Sequence, residues 1–146
     1  MKMTSVKRLI ASVLAAAGVA GAAFAATPEK YDCLPDKARS FISEYFSERN
    51  VATVKKEQFP TEYEVVFEDG TKTEFDADGE WMEVDCRNEA VPSVIVPQQI
   101  RELVADKYPY QKIVGISRDR RGYDIELSNG FELGFDRKFR LVDFND

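Results

Sequence analysis

The chain of 146 residues contains no histidine. That absence excludes Ser-His-Asp and Cys-His catalysis, together with every zinc site that needs an imidazole ligand. Cysteine is scarce: Cys33 and Cys86 are two thiols, too few to complete a structural zinc site by themselves. No Gly-x-x-x-x-Gly-Lys phosphate loop, Gly-x-Gly-x-x-Gly dinucleotide turn, Gly-x-Ser-x-Gly elbow or Ser-x-x-Lys motif occurs. Carboxylates are plentiful, but most alternate with apolar residues, as solvated strand faces do, and no pair marks itself as a hydrolase dyad. The sequence thus reads as a non-enzyme with neither cofactor nor bound metal.

Long apolar runs are also few. One, Leu9 to Ala23, follows Lys2, Lys7 and Arg8 and precedes Ala23-Phe24-Ala25, which offers small residues where a signal peptidase reads. At about 15 residues it is shorter than the roughly 20 that a spanning helix needs. Residues 1–25 are therefore expected to be a secretory signal peptide, and residues 26–146 one mature domain that is periplasmic or secreted, with no membrane insertion after cleavage. The leader carries three positive charges and no negative ones, so its removal takes the formal net charge from −6 to −9. A chain that acidic repels phosphate backbones, which argues against a nucleic-acid partner.

What the sequence does have is internal repetition. Leu34-Pro35 and Val96-Pro97 each open a segment with apolar residues at helical spacing: Ala38, Phe41, Ile42 and Phe46 in the first, Ile100, Leu103, Val104 and Tyr108 in the second, 62 positions on. Each proline is expected at the first helical position, where its missing N–H costs nothing; Asn50 and Pro109 are the expected stops. Tyr63, Val65 and Phe67, and then Tyr123, Ile125 and Leu127, show the period of two that marks a strand with one buried face. Asp69-Gly70 and Asn129-Gly130 follow as hairpin turns, 60 positions apart. Further strands carry Thr73 and Phe75, or Leu133 and Phe135, and then Met82 and Val84, or Val142 and Phe144. The predicted fold is α+β: two tandem helix-plus-four-strand repeats, about 26–88 and about 89–146, forming one antiparallel sheet with two helices on one face.

The first repeat reads Leu34-Pro35-x-x-Ala38-x-x-Phe41-Ile42-x-x-Tyr45-Phe46, then Tyr63-Glu64-Val65-x-Phe67-x-Asp69-Gly70-Thr71, then Glu74-Phe75-Asp76-x-x-Gly79-x-Trp81. The second carries Val96-Pro97, Gly122-Tyr123-Asp124-Ile125-Glu126-Leu127-x-Asn129-Gly130 and Glu132-Leu133-x-Phe135-Asp136. This combination resembles the exported beta-lactamase-inhibitor-like, PepSY-like family over nearly the whole mature chain. The resemblance implies tandem helix-plus-sheet repeats, an extracytoplasmic location and no known catalytic residues. It departs from internal symmetry at Leu141, which stands where the first repeat has Trp81.

Three features bear on function. Glu74, Asp76, Asp78, Gly79 and Asp85 fall at EF-hand spacings, but the two anchor positions are of the wrong length and the flanks alternate like strands, so a plain turn over Asp76–Gly79 is the favoured reading. Trp81 sits out of phase with Met82, Val84 and Cys86; if those face the helices, Trp81 faces away, near Val66, and the two are candidate partner-binding residues. The alternative is that Trp81 covers a sheet edge and serves stability. Cys33 and Cys86 form an even pair in an oxidising compartment, so a disulfide is expected, with two buried thiols as the competing reading. The function that follows is a non-catalytic protein-binding module, in the inhibitor sense an antagonist of an envelope or secreted enzyme; the alternatives are a small-ligand or ion-binding protein and a structural envelope component.

Overall fold

The computed structural model describes residues 31–145, so the leader expected over residues 1–25 lies outside the described residues. Helix α1 (Asp36–Tyr45) is followed by β1 (Val51–Gln58), β2 (Thr61–Phe67), β3 (Lys72–Asp76) and β4 (Trp81–Asp85). A 3-10 turn at Ser93–Ile95 leads to helix α2 (Gln98–Lys107), β5 (Ile113–Arg118), β6 (Gly122–Leu127), β7 (Glu132–Asp136) and β8 (Leu141–Asn145). All eight strands belong to one antiparallel sheet in the order of the chain, β1 to β8. The α+β class and the helix-then-four-strands order, run through twice, are as the sequence predicts.

The repetition extends to backbone detail. The Phe67 N–H donates to the Thr71 carbonyl at 2.8 Å, and Leu127 to Phe131 at 2.9 Å. One carboxylate oxygen of Asp76 accepts from the backbone N–H of Asp78 and Glu80 (2.9 and 3.0 Å), and Asp136 does the same for Lys138 and Arg140 at the same distances. Gly79 and Phe139, 60 positions apart, both hold positive φ (84° and 60°) in these turns. Each strand that opens a copy carries one extra residue against its partner, Ala52 in β1 and Val114 in β5. Each strand that closes a copy does too, Met82 in β4 and Val142 in β8.

Both helices cover one side of the sheet. Ala38 and Ile42 of α1, Ile100 and Val104 of α2, and the inward rows Val65, Phe67, Phe75 and Val84, then Ile116, Ile125, Leu127 and Leu133, are buried in one continuous apolar cluster. Pro35 and Pro97 stand one position earlier than expected. With ψ of 151° and 139° they are caps in extended conformation, whose carbonyls accept the first helical bonds from Arg39 and Arg101 (both 3.1 Å). The helices end at Tyr45 and Lys107, ahead of Asn50 and Pro109. The connection after β4 is packed, with Val91 and Ile95 buried and the Cys86 and Val91 N–H groups bonded to the carbonyls of Val114 and Ile113 (both 2.8 Å).

The expected Cys33–Cys86 bridge is not formed. The N-terminal end of α1 lies over the β3–β4 turn: a Cβ built on Gly79 would stand 2.8 Å from Pro35 Cβ, and Lys37 Nζ donates to Glu80 Oε1 at 2.6 Å. The other end lies over the β2–β3 turn, where Arg49 bonds Asp69 and, at 2.6 Å, Thr71 Oγ1. Cys86 belongs to this second end, next to Arg87, whose Nε donates to the Gly70 carbonyl at 3.0 Å. A ten-residue helix is about 15 Å long, so its direction on the sheet keeps the cysteines apart. Cys86 does point into the core, as its phase predicts, and burial raises its thiol pKa to about 11; Cys33 is exposed.

Candidate functional site

One side of the sheet carries both helices; the other is open. Across β2 to β8 the open side forms a broad depression of about 1390 Å³. Strand alternation decides what lines it. With Thr73 and Phe75 facing the helices, Lys72 and Glu74 face outward; with Val84 inward, Glu83 and Asp85 face outward; Asp124 and Glu126 follow the same rule in β6.

The copy-one half of this face is organised around a cation. Lys72 Nζ lies 3.1 Å from Glu74 Oε1 and 3.2 Å from Glu83 Oε1. The Glu74 side chain is only 9% exposed, so this is a largely desolvated triad. Burial works against the Lys72 charge, but Glu83 and Glu74 outweigh it and hold the ammonium well above its usual pKa. Burial, helped by Glu74, pushes the Glu83 carboxyl up. In copy two the position of Lys72 is taken by Glu132, which pairs in register with Glu126, and that of Glu74 by Gly134. The missing side chain lets two acids close in: a Cβ on Gly134 would meet Asp143 Cβ at 3.1 Å and Asp124 Oδ1 at 3.3 Å. Burial raises the Asp124 pKa, with Asp119 adding to it. The open face therefore grades from a lysine held between two glutamates to a patch where acids crowd around Gly134.

Trp81 does not lie on this face as expected. The extra residue in β4, Met82, restores Trp81 to the register row of Phe75, on the helix side. Its ring stacks on Phe41 of α1 with centroids 6.3 Å apart and planes at 29°. The Arg118 guanidinium sits 4.0 Å from the Trp81 ring centroid, and its Nε donates to the Trp81 carbonyl at 2.8 Å. Trp81 thus clamps α1 to the β3–β4 turn and the seam between the copies. Val66 lies half-buried on the open face between Thr53 and Lys72, so the structure separates the two residues that phase alone had joined. Sequence reasoning missed Lys72 and Asp124, although both share the outward phase of Glu74 and Glu126. It missed Arg118 because nothing local indicates which strand lies beside Trp81. The EF-hand-spaced acids form a turn: the carboxylate of Asp76 is engaged by backbone N–H groups, and among the described residues no group of three or more acids or cysteines is placed to hold a metal ion.

Comparison with known proteins matches the family model described as "Putative beta-lactamase-inhibitor-like, PepSY-like" to residues 61–143. The chain belongs to this family. Three solved structures carry the same fold at substantial identity. A putative calcium-regulated periplasmic protein from Bacteroides thetaiotaomicron is 40% identical with a TM-score of 0.75, over 79% of this chain and 92% of its own. A putative periplasmic protein from Bacteroides vulgatus is 39% identical with a TM-score of 0.74, over 79% and 92%. A second Bacteroides vulgatus protein, of unknown function, is 39% identical with a TM-score of 0.73, over 79% and 94%. No curated protein matches. As in these periplasmic relatives, the location of this PepSY-like chain is periplasmic or secreted. Among its described residues no helix is long and apolar enough to cross a membrane.

Proposed function

We propose that this protein is an extracytoplasmic, non-catalytic binding module that holds a protein partner against the open face of its sheet, and that it acts by occluding that partner, in the sense the family name carries. The observation that carries this reading is the one-sided sheet. Eight strands expose a wide, shaped surface whose charged groups, Lys72, Glu74, Glu83 and Asp124, are already partly desolvated before any partner arrives. Prepaired, partly dehydrated charges lose less water on docking and confer specificity by penalising mismatched partners. The absence of histidine and of nucleophile motifs supports a role without catalysis. Val66 remains in the proposed surface; Trp81, facing α1, is assigned to stability.

The test is retention of an envelope protein on the immobilised mature chain, followed by affinity measurement with the purified partner. Asp85→Lys combined with Glu126→Lys on the open face should weaken binding at least tenfold, while Arg101→Glu on the outer surface of α2 should not. Equal affinities for both variants would refute the open face as the binding surface.

A second reading draws on the relative described as calcium-regulated. Calcium needs a converging set of hard oxygen ligands, and the acids of this face include Asp124 and Asp143 flanking Gly134. Calorimetric titration of the apo protein with calcium decides it: saturable heat abolished by Asp124→Asn would replace the first reading with ion binding, and no heat at millimolar calcium would remove the second.

A further inference from the structure

The two edges of the sheet are copies of strands that pair with each other in its middle. Strand β8 repeats β4, and β1 repeats β5. Within the chain β4 and β5 join the two copies, with Glu83 opposite Ser117, Val84 opposite Ile116 and Asp85 opposite Gly115. We propose that the same junction forms between molecules, with β8 of one copy of this chain pairing antiparallel with β1 of another and continuing the sheet head to tail.

The first support is the exposure of β8. Val84 in β4 is fully buried, but its counterpart Phe144 is 44% exposed; Val142, the counterpart of Met82, is 57% exposed, and Leu141, at the position of Trp81, 36%. An outer strand that presents three large apolar side chains, with a backbone edge that no other described strand pairs, is a template for strand addition. The second is register. Carrying the β4–β5 pairing over to the edges places Val54 opposite Phe144, Thr53 opposite Asn145 and Lys55 opposite Asp143. Val54 already belongs to the buried row of its own copy, so the junction extends that row across the seam, and Lys55 meets a carboxylate. The third is the contrast with the closed alternative. A two-fold pairing of β8 with itself centred on Asp143 would set the carboxylate against its own copy, and like charges directly opposite disfavour a strand pair. The head-to-tail contact is heterologous, so association is open-ended unless rotation closes a ring.

Sedimentation equilibrium of the purified protein from micromolar to millimolar concentration tests this, with charge variants at the half-buried Asp143 and the exposed Lys55. The wild-type mass should rise with concentration through successive multiples of the chain. Asp143→Lys and Lys55→Glu should each weaken association roughly tenfold, since each turns the facing pair from attraction into repulsion. Mixing the two variants should restore it, because the two reversed charges then face each other at one junction and the native Asp143 and Lys55 face each other at the next. Unchanged thermal unfolding of the variants would show that they fold. A mass of one chain at all concentrations would overturn the proposal. So would a closed dimer indifferent to Lys55→Glu, which would instead indicate β8 pairing with itself.

Discussion

Gly122 and Gly130 offer a paired test of how the second copy is built, because both hold positive φ but differ in the space around them. Gly122 opens β6 with φ of 153°, and a Cβ there would lie 1.9 Å from the Phe135 carbonyl oxygen and within 3 Å of two Asp136 backbone atoms. None of these is the end of a flexible side chain, so β6 and β7 must separate to admit a methyl group. Gly130, in the β6–β7 turn, has φ of 86° and nothing within 4 Å of the same position. Gly130→Ala therefore bears the conformational cost alone, about 1–2 kcal/mol, partly offset by about 0.4–1 kcal/mol from the stiffer unfolded chain; a net loss of about 1 kcal/mol is expected. Gly122→Ala adds backbone strain of about 1–3 kcal/mol and overpacking of about 1–3 kcal/mol, for a loss of about 4 kcal/mol. That is a large part of the roughly 5–15 kcal/mol that stabilises an ordinary domain. Urea unfolding of the three proteins, compared at equal slope, measures both differences. Losses within about 1 kcal/mol of each other would refute the reasoning, since the two sites would then share conformation as the whole cost.

Other outcomes follow from the packing. Denatured without reductant, the protein should titrate two thiols per chain, because the direction of α1 keeps Cys33 and Cys86 apart; zero thiols with a monomeric mass would contradict that placement. Burial raises the Cys86 pKa to about 11 from an ordinary 9.0. The folded state thus keeps a proton that the unfolded chain gives up first, so this contribution to stability is complete below pH 9 and is lost as pH rises toward 11. Cys86→Ala should flatten that part of the stability profile, and an unchanged slope would discard the assignment. The Thr73 hydroxyl is buried without a hydrogen-bond partner among the described residues, and Leu133 fills the same position in copy two. Thr73→Val should raise stability by about 1 kcal/mol, measured by the urea midpoint; a loss would mean the hydroxyl is satisfied. Trp81→Ala removes the stack on Phe41 and the Arg118 contact and should cost about 2–3 kcal/mol for this half-buried ring, with Trp81→Phe recovering most of it and neither altering partner affinity.

The helices and strands were legible because their signals are local. Apolar residues three and four apart from Ala38 to Phe46, the period of two shared by Tyr63, Val65 and Phe67, and Asp-Gly and Asn-Gly turns each state an element without reference to the rest of the chain. The duplication added reach, since agreement between positions 60 and 62 apart tests each element against its twin. The open face was legible in part: the outward phase of Glu83 and Glu126 follows from that of Val84 and Ile125. The phase of Trp81 misled because it was counted backward through Met82, and a bulge inserts a residue without changing the pattern of residue types.

Composition and periodicity alone thus determined the class of fold, the number of strands, the inward rows outside β4 and β8 and the exclusion of histidine-dependent chemistry, since these depend on residue type and on spacing along a single element. Tertiary structure alone decided which way each helix lies across the sheet, which residue of β4 is extra, and which strand meets which at the seam. Those choices brought Arg118 onto the Trp81 ring, set Lys72 between Glu74 and Glu83, and left Cys33 and Cys86 at opposite ends of α1. They are set by pairings between residues far apart in the chain, whose energies depend on relative position in space, and spacing along one strand or helix carries no record of that.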